Sequence, residues 1–438
     1  MQANAKHDFT FFAKLFLAIG ILVFVACCWN YCYQSYLLQS GYKGDIFRPG
    51  LKETLQPFYI LPETNAGHTW AVYVVGAIAL ALFGLYVFVE VSLKRKYAIL
   101  SVVYLLLVLV FADSENDARL CGINSHYQTF ANDLHLFSGL RDLLANYTSR
   151  QHLMDVHGQH YPPLNLVLLM FSQKLGWLPL AKGFSILSGL ACILICQKIN
   201  PKSILTPLLA LSPGMLIFPS LDFVPIPALL GLCSFLVFKK ALRLGKIKWW
   251  VRLGILLAFF SLFSYSVSVL ILFFGVWFLV QKISIRVHFK GILLASVTCL
   301  LGFGMVWLFT GFNQYDCFMQ SISNNSELLQ SNGFDNFLRY FIRSTGNLLG
   351  IFFSGGLLVF FLVVSRLTLE TKTWIITLII ASFSGLFFGE TERIWLFLLP
   401  LCILADNVIP PTKISRYLLV SFALTIAIWQ ELTYKHFL

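Results

Sequence analysis

The sequence predicts an all-α fold, a polytopic bundle of transmembrane helices, and three observations predict it. Of 438 residues, 58% are hydrophobic and 12% charged, where a soluble globule carries about a quarter charged residues. The apolar residues come in runs near bilayer length, among them Leu15 to Trp29, Val72 to Val91, Ile99 to Phe111, Ile292 to Phe309 and Leu348 to Val364. In lipid such a run satisfies its backbone polar groups as a helix, and the alternation of a barrel strand is not seen. Mean hydropathy of +0.76 agrees.

Charge sets the order and direction of the elements. The net charge of +12 resides largely in short connectors: Lys94-Arg95-Lys96, the stretch Lys239 to Arg252 with six Lys/Arg and no acid, and Lys282 to Lys290. This is the pattern of cytoplasmic connectors, not of a nucleic-acid surface. The first run follows Lys6 and Lys14, has no small-residue cleavage site and reads as a signal anchor. It exits, residues near 35 to 68 lie outside, the second run returns, and the third exits near Ala112. Residues 113–160 then form a first outer loop. Four apolar pieces follow, about 162–176, 182–197, 204–218 and 223–238, before the basic connector. Four full crossings would end on the wrong side of it, so one piece reads as half-spanning, and the total is about eleven to thirteen helices.

Two short helices are expected from Arg252 to Gln281, turning near Ser264-Tyr265-Ser266, and the next helix exits near Thr310 into a second outer loop, 311–345. Glu390-Thr391-Glu392-Arg393 makes a third charged outer corner. Residues 1–438 read as a single integral-membrane domain without internal repeat. Most cysteines lie within apolar runs, where packing explains them. Cys121 and Cys317 fall in the outer loops, as a disulfide or as two free thiols.

Polar chemistry has to gather where water reaches, so the first outer loop is the place to look for a site. It holds five of the nine histidines and runs into Tyr161-Pro162-Pro163-Leu164. Asn132-Asp133-Leu134-His135 precedes Leu136, Leu140, Leu143 and Leu144, spaced for an amphipathic interfacial helix. Asp133 there is either a general base for an acceptor hydroxyl or a helix N-cap. Asp155, His157 and His160 lie close enough in sequence to ligate a divalent cation, or form a solvated loop. Asp222, after Pro219, is either an acid at membrane depth or an N-cap. Glu390, Glu392 and Arg393 open the segment Ile394 to Pro400; the arginine either grips a phosphate or pairs with a glutamate. Arg339 and Arg343 are phosphate candidates or snorkelling side chains.

These residues together resemble a family. Asp133 ahead of His160-Tyr161-Pro162-Pro163-Leu164, the Pro213 to Asp222 turn, and the segment 389–400 led by Arg393 are similar to motifs of the GT-C superfamily of integral-membrane glycosyltransferases. The likeness is greatest to bacterial members of the protein mannosyltransferase, aminoarabinose transferase and galacturonosyltransferase kind. The resemblance implies a GT-C-like bundle in the plasma (inner) membrane with its site on the extracytoplasmic face. It implies inverting transfer of a sugar from a polyprenyl-phosphate donor to a lipid, glycan or protein acceptor. Asp133 would be the base, Arg393 with Glu392 would meet the lipid phosphate, and Asp222 would be a supporting acid. Partners would be the lipid-linked donor and membrane lipids. Two departures stand out: two apolar runs precede the helix before the acidic loop, where simpler members have none, and Glu115 and Asp117 compete with Asp133.

The sequence contains no Walker A pattern and no dinucleotide fingerprint, as a lipid-linked donor would explain. A transporter or flippase of lipid-linked saccharides predicts charges inside helices and symmetry between halves; here most acids sit in outer loops and the halves look dissimilar. An O-antigen-ligase-like enzyme would rest on arginine and histidine pairs in its late loop.

Overall fold

The computed structural model of the chain describes residues 69–89, 92–110, 125–177, 179–331, 337–364, 368–384, 396–401 and 412–433, with 14, 17–21 and 25. Among the described residues every regular element is helical. The second and third apolar runs form α1 (Thr69–Phe88) and α2 (Leu93–Val110), packed side by side. Three short helices follow in the first polar loop: α3 (Ser125–Asp133), α4 (Leu140–Arg150) and α5 (Val156–His160).

The four apolar pieces beyond that loop form α6 (Leu164–Lys174), α7 (Leu180–Ile199), the pair α8 (Leu205–Ala210) and α9 (Pro213–Leu221), and α10 (Pro225–Leu244). Neither the first nor the third of these pieces forms one unbroken helix of bilayer length. The 11 residues of α6 rise about 16 Å. The third piece is broken at Leu211-Ser212, where Pro213 starts a new helix, and Pro219 lies inside α9. A proline ring cannot continue a preceding helical turn without losing a hydrogen bond, which accounts for the break. The broken pair is nonetheless the buried centre: α9 packs on α2, α7, α15 (Phe337–Gly355) and α18 (Lys413–Thr433).

The helices α11 (Ile247–Ser261) and α12 (Val267–Val280) are joined by a turn that contains the expected Ser264-Tyr265-Ser266. There Ser264 Oγ accepts the Ser266 N–H at 3.2 Å. Next comes α13 (Ile285–Thr310), which ends at the predicted threonine. The expected second outer loop is mostly helical: α14 (Gln314–Ser331) and the start of α15 occupy it. Asn313 makes the helix possible, its side-chain oxygen accepting the Tyr315 N–H at 3.0 Å at the first turn. Then come α16 (Leu357–Val364) and α17 (Leu369–Ser382), the latter capped by the Thr368 hydroxyl, which accepts the Thr371 N–H.

Among the described residues three helices, α7, α10 and α13, are long and apolar enough to cross a membrane. In α13 Ala295 is the buried residue, while Leu300, Leu301, Leu308 and Phe309 are all exposed. A helix that turns apolar side chains outward along its length belongs against lipid or another apolar surface.

Candidate functional site

The polar stretch Ser125 to Asp133 forms a helix because two aromatic side chains one turn apart, Tyr127 and Phe130, pin it to the core. The Tyr127 hydroxyl donates to the Asp222 carbonyl at 2.8 Å, and its ring meets Phe223 edge-on at 4.7 Å. Phe130 packs on Phe223, His157 and Tyr161, with ring centroids at 5.8, 5.8 and 5.7 Å. His157 and Tyr161, two of the loop residues singled out in the sequence, thus share one aromatic cluster with Phe223.

Asp133 ends α3 and stands at the N-cap position of the short 3-10 turn Leu134–Leu136, but its side chain makes no cap hydrogen bond there. Its side chain is only 3% exposed. Oδ1 accepts the Asp155 backbone N–H at 2.8 Å, closing a 22-residue loop, while Oδ2 is buried with no hydrogen-bond partner. Burial pushes the Asp133 pKa up to about 7; the Asp155 N–H opposes this, the Asp155 carboxylate adds to it, and His135 opposes it.

Gly158 makes the close approach possible. A Cβ there would lie 2.2 Å from Asp133 Oδ2 and 2.8 Å from Met154 Cβ. Tyr147 fixes the same segment from behind, its hydroxyl donating to the carbonyls of Tyr161 at 2.8 Å and Gly158 at 3.2 Å. Gln151, fully buried, holds the other side: its amide donates to the Gln159 carbonyl and to Ser321 of α14, both at 2.8 Å. Through Ser321 the second polar region reaches the first.

The amphipathic helix expected across Leu136 to Leu144 is broken. A short 3-10 turn, Leu134–Leu136, gives way to extended backbone at Phe137 before α4 begins. The break is organised by Asp142, which accepts the Ser138 N–H at 2.9 Å, the Ser138 hydroxyl at 3.1 Å, Asn146 at 2.6 Å and Arg150 at 2.9 Å. With the Ser138 N–H first among these donors, the carboxyl is held well below the ordinary range. Leu143 is buried and Leu140 exposed, so the helix is amphipathic over α4 alone.

The remaining predicted residues divide. His160 follows Gly158 in α5, its Nδ1 buried without a hydrogen-bond partner and its pKa held below the usual value by burial. Asp155 is exposed while His157 is buried against Phe130. Among the described residues no group of three His, Cys, Asp or Glu is gathered to hold a metal ion. Asp222 is 1% exposed: Oδ1 accepts the Phe223 N–H at 2.5 Å, and its carbonyl accepts from Tyr127 at 2.8 Å and from Ser185 of α7 at 2.7 Å. It is not the N-cap of α10, which is Val224. Cys317 is a free, buried thiol that accepts from the Tyr265 hydroxyl at 3.0 Å. Arg339 and Arg343 lie in α15, where the backbone alone is described. Glu115, Asp117, Cys121, Glu390, Glu392 and Arg393 lie outside the described residues.

Sequence reasoning missed Asp142, Gly158, Gln151 and Lys182. Asp142, Asn146 and Arg150 at four-residue spacing were readable as a helix-face network. Lys182, 2% exposed near the start of α7, was readable as a cation inside an apolar run. Gly158 and Gln151 act through contacts distant in sequence and carry no local signal. Compared with protein-family models, with curated proteins and with solved structures, the chain matches none.

Proposed function

We propose that the chain is a GT-C-like integral-membrane glycosyltransferase that moves a sugar from a polyprenyl-phosphate donor to an acceptor hydroxyl on the extracytoplasmic face of the plasma membrane. One observation carries the reading. Asp133 is a carboxylate with a pKa near 7, one oxygen anchored by the Asp155 N–H and the other with no hydrogen-bond partner. A base is most effective when its pKa lies near working pH, since it is then both substantially ionised and basic enough to take a proton.

In the transfer, Asp133 Oδ2 takes the proton of the acceptor hydroxyl. The acceptor oxygen forms a bond to the anomeric carbon from the face opposite the phosphate. The bond from that carbon to the phosphate oxygen breaks, its electron pair leaves with the lipid phosphate, and the configuration inverts. The base must be reached first. Met154 shares the space over Gly158 with Oδ2, and its unbranched thioether can swing aside for an acceptor. The phosphate side falls to Arg393, with Arg339 and Arg343 as further cations, since a phosphate leaves readily once its charge is held. His160 and Tyr161, which follow Gly158 in sequence, border the acceptor.

The test is transfer by the purified, reconstituted chain with polyprenyl-phosphate sugars, the sugar being chosen by mass spectrometry of envelope glycans with and without the protein. Asp133→Asn should lower the rate by about 10²–10⁴-fold, and the wild-type rate should rise with pH through an apparent pKa of about 7. Full activity in Asp133→Asn would overturn the assignment.

A further inference from the structure

We infer that the end of the molecule where α10, α11, α12 and α13 meet binds the headgroup of an anionic phospholipid. Between Asp222 and Asp316 the chain carries nine Lys/Arg residues and no acid: Lys239, Lys240, Arg243, Lys246, Lys248, Arg252, Lys282, Arg286 and Lys290. The fold brings these to one place. Trp250 lies 6.5 Å from Phe238 and 6.1 Å from His288, and Phe278 lies 5.6 Å from Phe238 and 6.2 Å from His288. This ring of aromatics ties together the last turns of α10 and α12 and the first turns of α11 and α13. The cation-bearing ends therefore converge.

At the surface of the ring the neighbouring indole, Trp249, is surrounded by positive charge. Lys240 Nζ stands 4.0 Å, the Arg252 guanidinium 4.5 Å and Lys248 Nζ 5.8 Å from its ring centroid. All three cations are exposed, and among the described residues no salt bridge joins any of them to an acid. Three like charges on one ring repel, and an anion among them relieves that repulsion. The Trp249 Nε1–H is buried beneath them without a hydrogen-bond partner, a donor waiting for an acceptor oxygen.

The surroundings distinguish a lipid from a free phosphate. The first turns of α13 present Ile285, Phe289 and Leu293 along one face at 49, 58 and 52% exposure, and α13 packs on α11, which carries Trp249 and Arg252. An apolar wall beside clustered cations fits an amphiphile, with the negative head among Lys240, Lys248 and Arg252 and the acyl chains along α13. A small anion would use the cations and leave the wall bare.

Native mass spectrometry of the full chain, released from detergent micelles titrated with phosphatidylglycerol or phosphatidylcholine, tests this. Phosphatidylglycerol should bind about tenfold more tightly, and Lys240→Gln with Arg252→Gln should remove most of that preference. Lys94→Gln with Arg95→Gln removes the same charge elsewhere and should change it by less than about twofold. Trp249→Phe keeps the ring and loses the N–H; it should weaken phosphatidylglycerol binding, and it carries the test if the double variant does not fold. Equal binding of the two lipids, an equal loss in both double variants, unchanged binding in Trp249→Phe, or displacement of the lipid by an equimolar amount of inorganic phosphate would each overturn the site.

Discussion

Replacing Asp133 by asparagine should stabilise the protein while it removes activity, and the size of the gain should depend on pH. The Asp133 pKa is raised from 3.8 to about 7 on folding, chiefly by burial. Between those values the folded chain holds a proton that the unfolded chain has lost. Wild-type stability contributed by this group therefore falls as pH climbs from about 4 to about 7, and is flat above. A shift of three units at about 1.4 kcal/mol each gives a ceiling of about 4 kcal/mol. Solvent screening at the polar end of the molecule reduces this to about 2 kcal/mol. Asparagine has no charge to bury, and its carbonyl can keep the Asp155 N–H bond, so it escapes this cost. Apparent melting temperatures of the two reconstituted chains, measured at one scan rate from pH 4 to 8, isolate the group together with its coupling to Asp155, because carboxylates that do not interact with Asp133 cancel in the difference. At roughly 2 °C per kcal/mol, the variant should gain about 4 °C on the wild type between pH 4 and pH 8. A difference that is flat across that range, or that moves against the variant as pH rises, would refute the buried, proton-hungry carboxylate on which the proposed chemistry stands.

Three other outcomes are expected. Gly158→Ala puts a methyl where Asp133 Oδ2 and Met154 Cβ now lie, 2.2 and 2.8 Å away; it should destabilise by about 1–3 kcal/mol and cut transfer, read by melting temperature and rate. Asp142→Asn should loosen α4, because it weakens the charge-assisted bonds to Ser138 and Arg150; faster amide exchange in α4 at pH 7 is the readout. That contribution is present above the ordinary carboxylate pKa and is lost as pH falls through the depressed one. Cys317, fully buried with its thiol pKa pushed up to about 12, should resist maleimide in the folded chain and react after denaturation.

What could be read from sequence follows the range of the forces. Run length and hydropathy are local, and they place α7, α10 and α13, the Ser264 to Ser266 turn and the Thr310 boundary. Pro213 marks the break at Leu211-Ser212 in the sequence, but the apolar piece 204–218 reads through it as one. By contrast, α3 reads as loop because seven of its nine residues are neither Tyr127 nor Phe130, and two anchors one turn apart do not make a periodicity. The partner of Asp133 lies 22 residues away, and one of the two partners of Gln151 lies 170 away, in α14. Contacts at that range come from the packing of whole helices, so their residues look ordinary in the sequence.

Four aspartates around the first polar region differ in what their surroundings let them do. Asp142 has four donors around it, binds its proton weakly and serves to hold a bend. Asp222 uses its carboxylate on the next backbone N–H and its carbonyl on two hydroxyls, locking α3 and α7 to the end of α9. Asp155 is exposed and contributes its backbone N–H. Asp133 combines burial, a raised proton affinity and an oxygen without a donor. Each further donor on a carboxylate lowers its basicity, and water would do the same. Gly158 and Met154 occupy space from which such donors would come. The cost of keeping an unsatisfied oxygen there, about 1–3 kcal/mol, is one that folding alone does not require. In the proposed transfer, an acceptor hydroxyl that donates to that oxygen would recover it, and the strain in the free protein would become binding energy for the group whose proton is taken.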